Sequence, residues 1–447
     1  MRVLLSDGAG LTARQCATLL SRAGHEVEVL SAEPLCLCRF TRHVRRVHRV
    51  PACGADPFGW LDVALATAGR RGAELLLPVQ EQAAVIALAR DRVLGAGLRT
   101  AVPEFASLVQ VQDKIAAFRT LARLGLPQPA ASVAAGRAEL EAAGPLPAFV
   151  KTPIGTASTG VRRVATVAEL RRLAADYERA GVFAGGGVLV QRPVSGPLVM
   201  AQSVFARGEM IAFHACERIR EGAGGGASHK RGLRLPEAAS GIRRLGAALG
   251  WHGALSADLI LTDGGPRFID VNPRLVEPVN AHRSGVDLAG ALVEVAALRP
   301  AASPVAEASL AGVRTHQLLL AVLGAASRGG RRGVVRELRD AAGHRGDYHA
   351  SGEELTPLRG DATAITPVAV AAATTLAYPG AWRRFTNGSV GAYALTPAAW
   401  QRLLTAWREP ALTRVSGPIM AISGHSGRGR SRPTRAPTLR IGQEVFR

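Results

Sequence analysis

The sequence predicts a mixed chain: an α/β domain, then an α+β domain, then a mostly helical C-terminal extension. Three observations carry this reading. Strand-like and helix-like runs alternate through the first hundred residues. Short apolar strands joined by glycine-containing links dominate from there to residue 272. An alanine-rich, helix-patterned region follows Pro300 and runs to about Leu412.

Residues 3–6 read as the first strand and 12–23 as a helix that Gly24 ends. A strand at 27–30, a helix at 57–70 and a buried strand at 74–79 follow. Strand, helix and strand with short links argue a parallel sheet covered by helices. Gly8-Ala9-Gly10 follows the first strand but lacks the third glycine of a dinucleotide fingerprint, so no nicotinamide site is expected. Residues 104–126 form a helical pair carrying Lys114, and Pro127 and Pro129 open an extended segment. A strand at 147–151, a loop at 152–160, a strand at 161–164 and a helix at 167–180 come next. After a break at 185–187, strands at 188–191, 199–206 and 210–217 lead to a glycine loop at 222–226, which reads as mobile. A helix at 237–249 precedes strands at 255–261 and 267–271. The expected division is 1–103, 104–300 (with subdomains 104–185 and 186–300), 301–412, and a basic tail at 413–447.

A chain of 447 residues exceeds one ordinary core, and 47% hydrophobic content excludes wholesale disorder. No apolar run reaches the roughly 18 residues of a membrane span. Val3-Leu4-Leu5 running into Ser6-Asp7-Gly8 reads as a strand and loop, not as a signal peptide. Five scattered cysteines fit reduced cytosolic thiols, and Cys36-Leu37-Cys38 lacks the partners of a zinc site. The expected location is the cytoplasm. Part of the formal charge of +20 sits in the tail, where six arginines from Arg428 to Arg447 face only Glu444. The tail reads as solvated and disordered. Any contact with RNA, DNA or acidic lipid would be weak and salt-dependent, and no specific nucleic-acid partner is expected.

Only three lysines, Lys114, Lys151 and Lys230, stand among 55 basic residues. In so arginine-biased a chain, a position that merely needs charge would be arginine. A retained lysine suggests a compact point charge suited to a phosphate pocket. Lys151 ends a strand and leads into a loop in which Gly155 and Gly160 offer unhindered backbone donors and Thr156, Ser158 and Thr159 offer hydroxyls. No Gly-Lys-Ser/Thr opens a helix, so this is not a Walker loop. Asp258 and Asp270 lie on strands joined by Thr262-Asp263-Gly264-Gly265, and a hairpin folded about Gly264 sets them opposite each other. Asn272 shares a face with Asp270. Two carboxylates and an amide suit Mg²⁺ sharing its shell with phosphate and water. Arg274 follows, presenting a fork toward the metal end.

Together these segments resemble the ATP-grasp superfamily from Met1 to about Arg299. The segments are Gln112-Asp113-Lys114, Phe149-Val150-Lys151 with its loop, Val190 to Gly196, Gly224 to Ser228, and Phe268 to Arg274. The resemblance implies an ATP-grasp fold preceded by a Rossmann-like α/β domain. It implies that Lys114 reaches the nucleotide phosphates and that Lys151 lies beside the adenine and α-phosphate. It implies that Val188, Leu189, Val190 and Gln191 form a hinge reading the adenine edge, and that Gly155, Ser158 and Gly160 cover the phosphates. Asp258, Asp270 and Asn272 match the ligands of Mg²⁺ (or Mn²⁺), while Lys230 and Arg274 match cations near the transferred phosphoryl group. The family usually has glutamate at 270 and often an acid at 192, where this chain has Arg192.

The implied activity is an ATP-dependent ligase that makes an acyl phosphate and passes it to an amine, with small-molecule carboxylate and amine partners and a homodimer as the candidate assembly. The alternatives are a carboxylase or carbamoyl-phosphate-type enzyme acting on bicarbonate, and a non-catalytic ATP-binding regulator. Glu277, His282 and Arg283 follow the metal strand and are candidates to face substrate. The region after residue 300 is expected to brace the core and shape the acceptor pocket.

Overall fold

The computed structural model describes residues 1–156, 159–298, 309–355 and 360–409. At the front of the chain, β1 (Arg2–Leu5) and β2 (Glu26–Ser31) are buried along most of their length, as strands covered on both faces must be, with Glu28 of β2 paired to Arg71 and His48. With β3 (Arg46–Arg49) and β4 (Leu75–Leu77) they form a parallel sheet in the order β3-β2-β1-β4. Helices α1 (Leu11–Arg22) and α2 (Pro57–Arg71) link these strands. Asp56 caps α2, Pro57 sits in its first turn, and Gly72 at φ 59° ends it. Short helices α3 (Ala83–Leu88) and α4 (Arg90–Gly95) complete this part.

The expected helical pair is α5 (Phe105–Gln112) and α6 (Lys114–Arg123). Asp113 caps α6 by accepting from the Ala116 N–H at 2.7 Å, which fixes Lys114 as its first residue. A small antiparallel sheet follows, in the order β5-β8-β6-β7: β5 (Ala131–Ala134), β6 (Ala148–Lys151), β7 (Val161–Val164) and β8 (Val188–Gln191). It carries α7 (Arg137–Glu141) and α8 (Val167–Arg179) on its own core of Leu140, Val150, Leu170 and Val188. A capping box of Thr166 and Glu169 starts α8.

The main sheet has seven strands in the order β13-β12-β9-β10-β11-β14-β15. They are β9 (Leu198–Ala206), β10 (Glu209–Glu221), β11 (Ala227–Leu233), β12 (Gly253–Thr262), β13 (Gly265–Asn272), β14 (Arg314–His316) and β15 (Ser351–Glu353). Helices α9 (Pro236–Ala248), α10 (Val279–Arg283) and α11 (Leu288–Ala296) belong to the same part of the chain. The last described residues are helical, in α12 (Leu318–Ala342), α13 (Thr366–Ala377), α14 (Trp382–Tyr393) and α15 (Pro397–Arg408). They are not purely so. β14 pairs with β11, and β15 with β14, so the main sheet runs past residue 300. Trp400 and Leu403 of α15 enter the same core as Trp60 and Leu61 of α2. The expected basic tail lies outside the described residues. Among those described, no helix is long and apolar enough to cross a membrane.

Candidate active site

The site is built on the β12–β13 hairpin. Its turn is Asp263-Gly264, with Thr262 paired to Gly265. A regular ladder from that turn would put Asp258 opposite Ile269 and turn Asp270 to the other face. The register instead shifts between Leu259–Phe268 and Asp258–Asp270, leaving Ile269 as a bulge. The two aspartates therefore face each other, with Asn272 two residues on, opposite Ser256. The bulged Ile269 carbonyl accepts a 2.7 Å hydrogen bond from Lys151 Nζ.

Burial, and then the Asp270 charge, push the Asp258 carboxyl up to about 6. Asn272 Oδ1 accepts from Arg274 Nη2 at 3.4 Å, and Arg274 Nε is 3.1 Å from Glu81 Oε1. Burial opposes the Arg274 charge, but Glu81 holds the group above its ordinary pKa. The described residues contain no cluster of three or more His, Cys, Asp or Glu that could hold a metal. Two carboxylates and one amide oxygen nevertheless fit a hard cation such as Mg²⁺, which keeps phosphate and water oxygens in its shell.

Lys114 Nζ stands 3.8 Å from Asp270 Oδ2 and donates to the Gly155 carbonyl at 2.9 Å. Lys151 is 6% exposed. Burial lowers its pKa, Lys114 adds to the effect, and Asp270 and Asp258 oppose it. A Cβ on Gly155 would meet Gly160 N at 2.9 Å, and one on Gly160 would meet Thr152 Oγ1 at 2.2 Å, so both glycines let the loop fold tightly on itself. Ser158 lies outside the described residues. Val188, Leu189, Val190 and Gln191 form β8, which is paired on one side to β5 and on the other to β6.

Lys230 has a different setting. It is 2% exposed in β11, bonded to Glu277 and, at 2.7 Å, to Glu354. Burial alone would lower its pKa; the two carboxylates carry it well above the ordinary lysine value. Gln317 donates to both glutamates, Thr315 Oγ1 to Glu354 at 2.6 Å, and Gln15 to Glu354 at 2.9 Å. This network joins α1, β11 and the region after residue 300. The expected mobile loop is a single turn, residues 223–225, packed against the same region. A Cβ on Gly224 (φ 68°) would lie 2.7 Å from Thr386 Cγ2, and one on Gly222 would lie 2.9 Å from Leu320 Cβ.

A cavity of about 540 Å³ gathers much of this. Lys114, Gly155, Asp258, Asp270, Asn272 and Arg274 line it. Lys151, Lys230 and β8 do not line it. Arg218, Glu277 and Tyr393 do; of these the sequence reading had singled out only Glu277. Arg218 donates to the Gly225 carbonyl at 2.8 Å and so ties down the glycine turn. Arg283 is spent on the Glu353 carbonyl at 3.2 Å, and His282 is 4.0 Å from Asp287.

No family model matches the sequence, and no curated protein matches it. Solved structures do. The biotin carboxylase domain dimer of 2-oxoglutarate carboxylase from Hydrogenobacter thermophilus, with MgADP, ADP and bicarbonate, is 18% identical at TM-score 0.56, over 69% of this chain and 72% of that one. N5-carboxyaminoimidazole ribonucleotide synthetase from Thermus thermophilus is 18% identical at TM-score 0.52, over 70% and 81%. L-amino acid ligase from Bacillus licheniformis is 17% identical at TM-score 0.55, over 70% and 78%. All three are ATP-grasp enzymes, and this chain has the ATP-grasp fold.

Proposed function

We propose that the protein is an ATP-dependent ligase that activates a carboxylate as an acyl phosphate and transfers the acyl group to an amine. The observation that carries this reading is the facing aspartate pair, with Lys114 3.8 Å from Asp270, lining a chamber of about 540 Å³. A substrate carboxylate oxygen attacks the γ-phosphorus of ATP, the bond to the β,γ-bridging oxygen breaks, and ADP leaves. The amine nitrogen then attacks the acyl carbon, phosphate leaves, and the nitrogen loses a proton. Such transfers need positioning and charge neutralisation more than covalent help.

Asp258, Asp270 and Asn272 would hold Mg²⁺ or Mn²⁺, which when bound neutralises phosphate charge. Lys114 is assigned to the phosphates, with Lys151 beside the α-phosphate. Gly155, Ser158 and Gly160 are assigned to the cover over the nucleotide, and Val188, Leu189, Val190 and Gln191 to the adenine edge. Arg274, fixed by Glu81 and Asn272, is assigned to the transferred phosphoryl and acyl groups. Lys230 is assigned to holding Glu277 and Glu354 in place, because both its neighbours are carboxylates. A cytoplasmic homodimer completes the proposal.

Positional isotope exchange in ATP tests the first half-reaction. Exchange that depends on an added carboxylic acid is expected. Tight ATP binding without exchange, across a panel of organic acids and bicarbonate, would leave the regulatory reading instead.

A further inference from the structure

We propose that the acid activated here carries a bulky apolar body, housed against the apolar side chains that the C-terminal helices add to the chamber; this rests on the ligase reading. The chamber lining is mixed, with more apolar than polar surface. Its charged groups include the aspartate pair, Lys114 and Arg274. Apolar lining comes from beyond residue 300, with Leu323 of α12, Val370 of α13, and Phe385 and Val390 of α14. Leu37 and Phe40 near the front of the chain also line it. Leu37, Phe40, Phe385 and Val390 are only half-buried and so keep apolar surface exposed, although Leu37 and Phe385 also pack against a small core that includes Leu323. Two large apolar residues of the lining are openly exposed: Leu35 at 73% and Val370 at 49%. Neither contributes to a described core cluster.

Several other polar groups of the lining are committed elsewhere. Thr386 Oγ1 donates to the Trp382 carbonyl at 3.1 Å, and Ser389 Oγ donates to the Ala9 carbonyl at 3.0 Å. Glu277, the lining carboxylate besides the aspartates, is bonded to Lys230, which it shares with Glu354, and to Gln317. The further polar groups of the lining include Arg218, Gln80 and Tyr393, and Arg218 is tied to the Gly225 carbonyl. A hydrocarbon chain or aryl group would remove apolar wall from water, and its carboxylate would reach Arg274 and the aspartate pair. The volume suits a ligand of drug-like size.

The test is calorimetric titration of the full-length protein, in excess MgADP, with n-alkanoic acids from acetate to decanoate and with 3-phenylpropionate. Affinity is expected to rise about fourfold per added methylene over the middle of the series, the value for full burial of each group, with a negative heat-capacity change. Val370→Asp, at an exposed position, should weaken decanoate binding at least tenfold while leaving MgADP binding unchanged. Phe385→Ala, checked for an unchanged melting temperature with MgADP, should shift the preference toward shorter acids. Affinity that is flat with chain length, or decanoate binding untouched by Val370→Asp, overturns the proposal. ADP release with the same acids and an amine panel separates the two readings. Chain-length-dependent binding without turnover removes the ligase and keeps the apolar chamber. Turnover with small polar acids and no chain-length preference keeps the ligase and removes the chamber's role.

Discussion

Lys114 and Lys151 meet backbone carbonyls at distances that a guanidinium could not reproduce without moving its neighbours. Lys114 reaches Gly155 O at 2.9 Å, and Lys151 reaches Ile269 O at 2.7 Å from a nearly dry position. Arginine at either place would push its planar fork into the loop or the bulge. Lys114→Arg and Lys151→Arg should each lower kcat/KM by about 100-fold, with far-ultraviolet circular dichroism unchanged. Steady-state kinetics beside the spectra check this. Lys230 should behave differently. Lys230→Met strands two buried carboxylates and should cost about 3–5 kcal/mol, measured by urea unfolding, with KM for ATP unchanged in the folded fraction. The scarcity of lysine marked all three positions in the sequence. It did not distinguish a phosphate neighbour from a buried counter-ion, because Glu277 and Glu354 lie 47 and 124 residues away from Lys230.

At the scale of elements, the strands that the sequence conceals are those whose polarity is resolved elsewhere in the fold. β11 reads Ala-Ser-His-Lys-Arg-Gly-Leu, too polar for an interior strand until its lysine is paired. β3 is an edge strand with two arginines and a histidine, while β14 and β15 have three residues each. The metal hairpin was legible as a pair of residues but not as a mechanism. Folding about Gly264 picks Asp258 and Asp270, whereas the true turn needs the Ile269 bulge to reach the same register. The glycine turn was legible as glycine-rich, yet its glycines serve close packing. Gly224→Ala combines a left-handed backbone with a contact 2.7 Å from Thr386 Cγ2. It should cost about 1–3 kcal/mol, and Thr386→Ser should recover part of that loss in the double variant, read by thermal melting.

Across the whole molecule, three buried histidines on or beside the main sheet contribute to the response to acid. Burial is the leading cause that lowers His214 to about 4, His229 to about 3 and His316 to about 4. Below the ordinary value of 6.5 the unfolded chain binds protons that the folded one refuses, so their stabilisation is lost as pH falls from about 6.5 toward 4. Asp7 and Asp258, both raised to about 6 by burial, act in the opposite sense between about 4 and 6. These two sets pull the wild-type slope in opposite directions. His214→Gln removes one contribution and should flatten the acid loss by about 2 kcal/mol, measured by unfolding at pH 7 and pH 4.5.

The Arg14–Asp361 ion pair spans 347 residues of chain, and the chamber wall runs from Leu11 to Tyr393. At about 5–20 residues per second, a ribosome takes about 20–70 s to pass from one partner to the other. The front sheet has that long to form alone. Its half of the chamber, including Leu35, Leu37 and Phe40, is bare until the last helices emerge. Until then the apolar side chains of this half have no partners from the C-terminal helices, at the stage when a chaperone would have most effect on the yield.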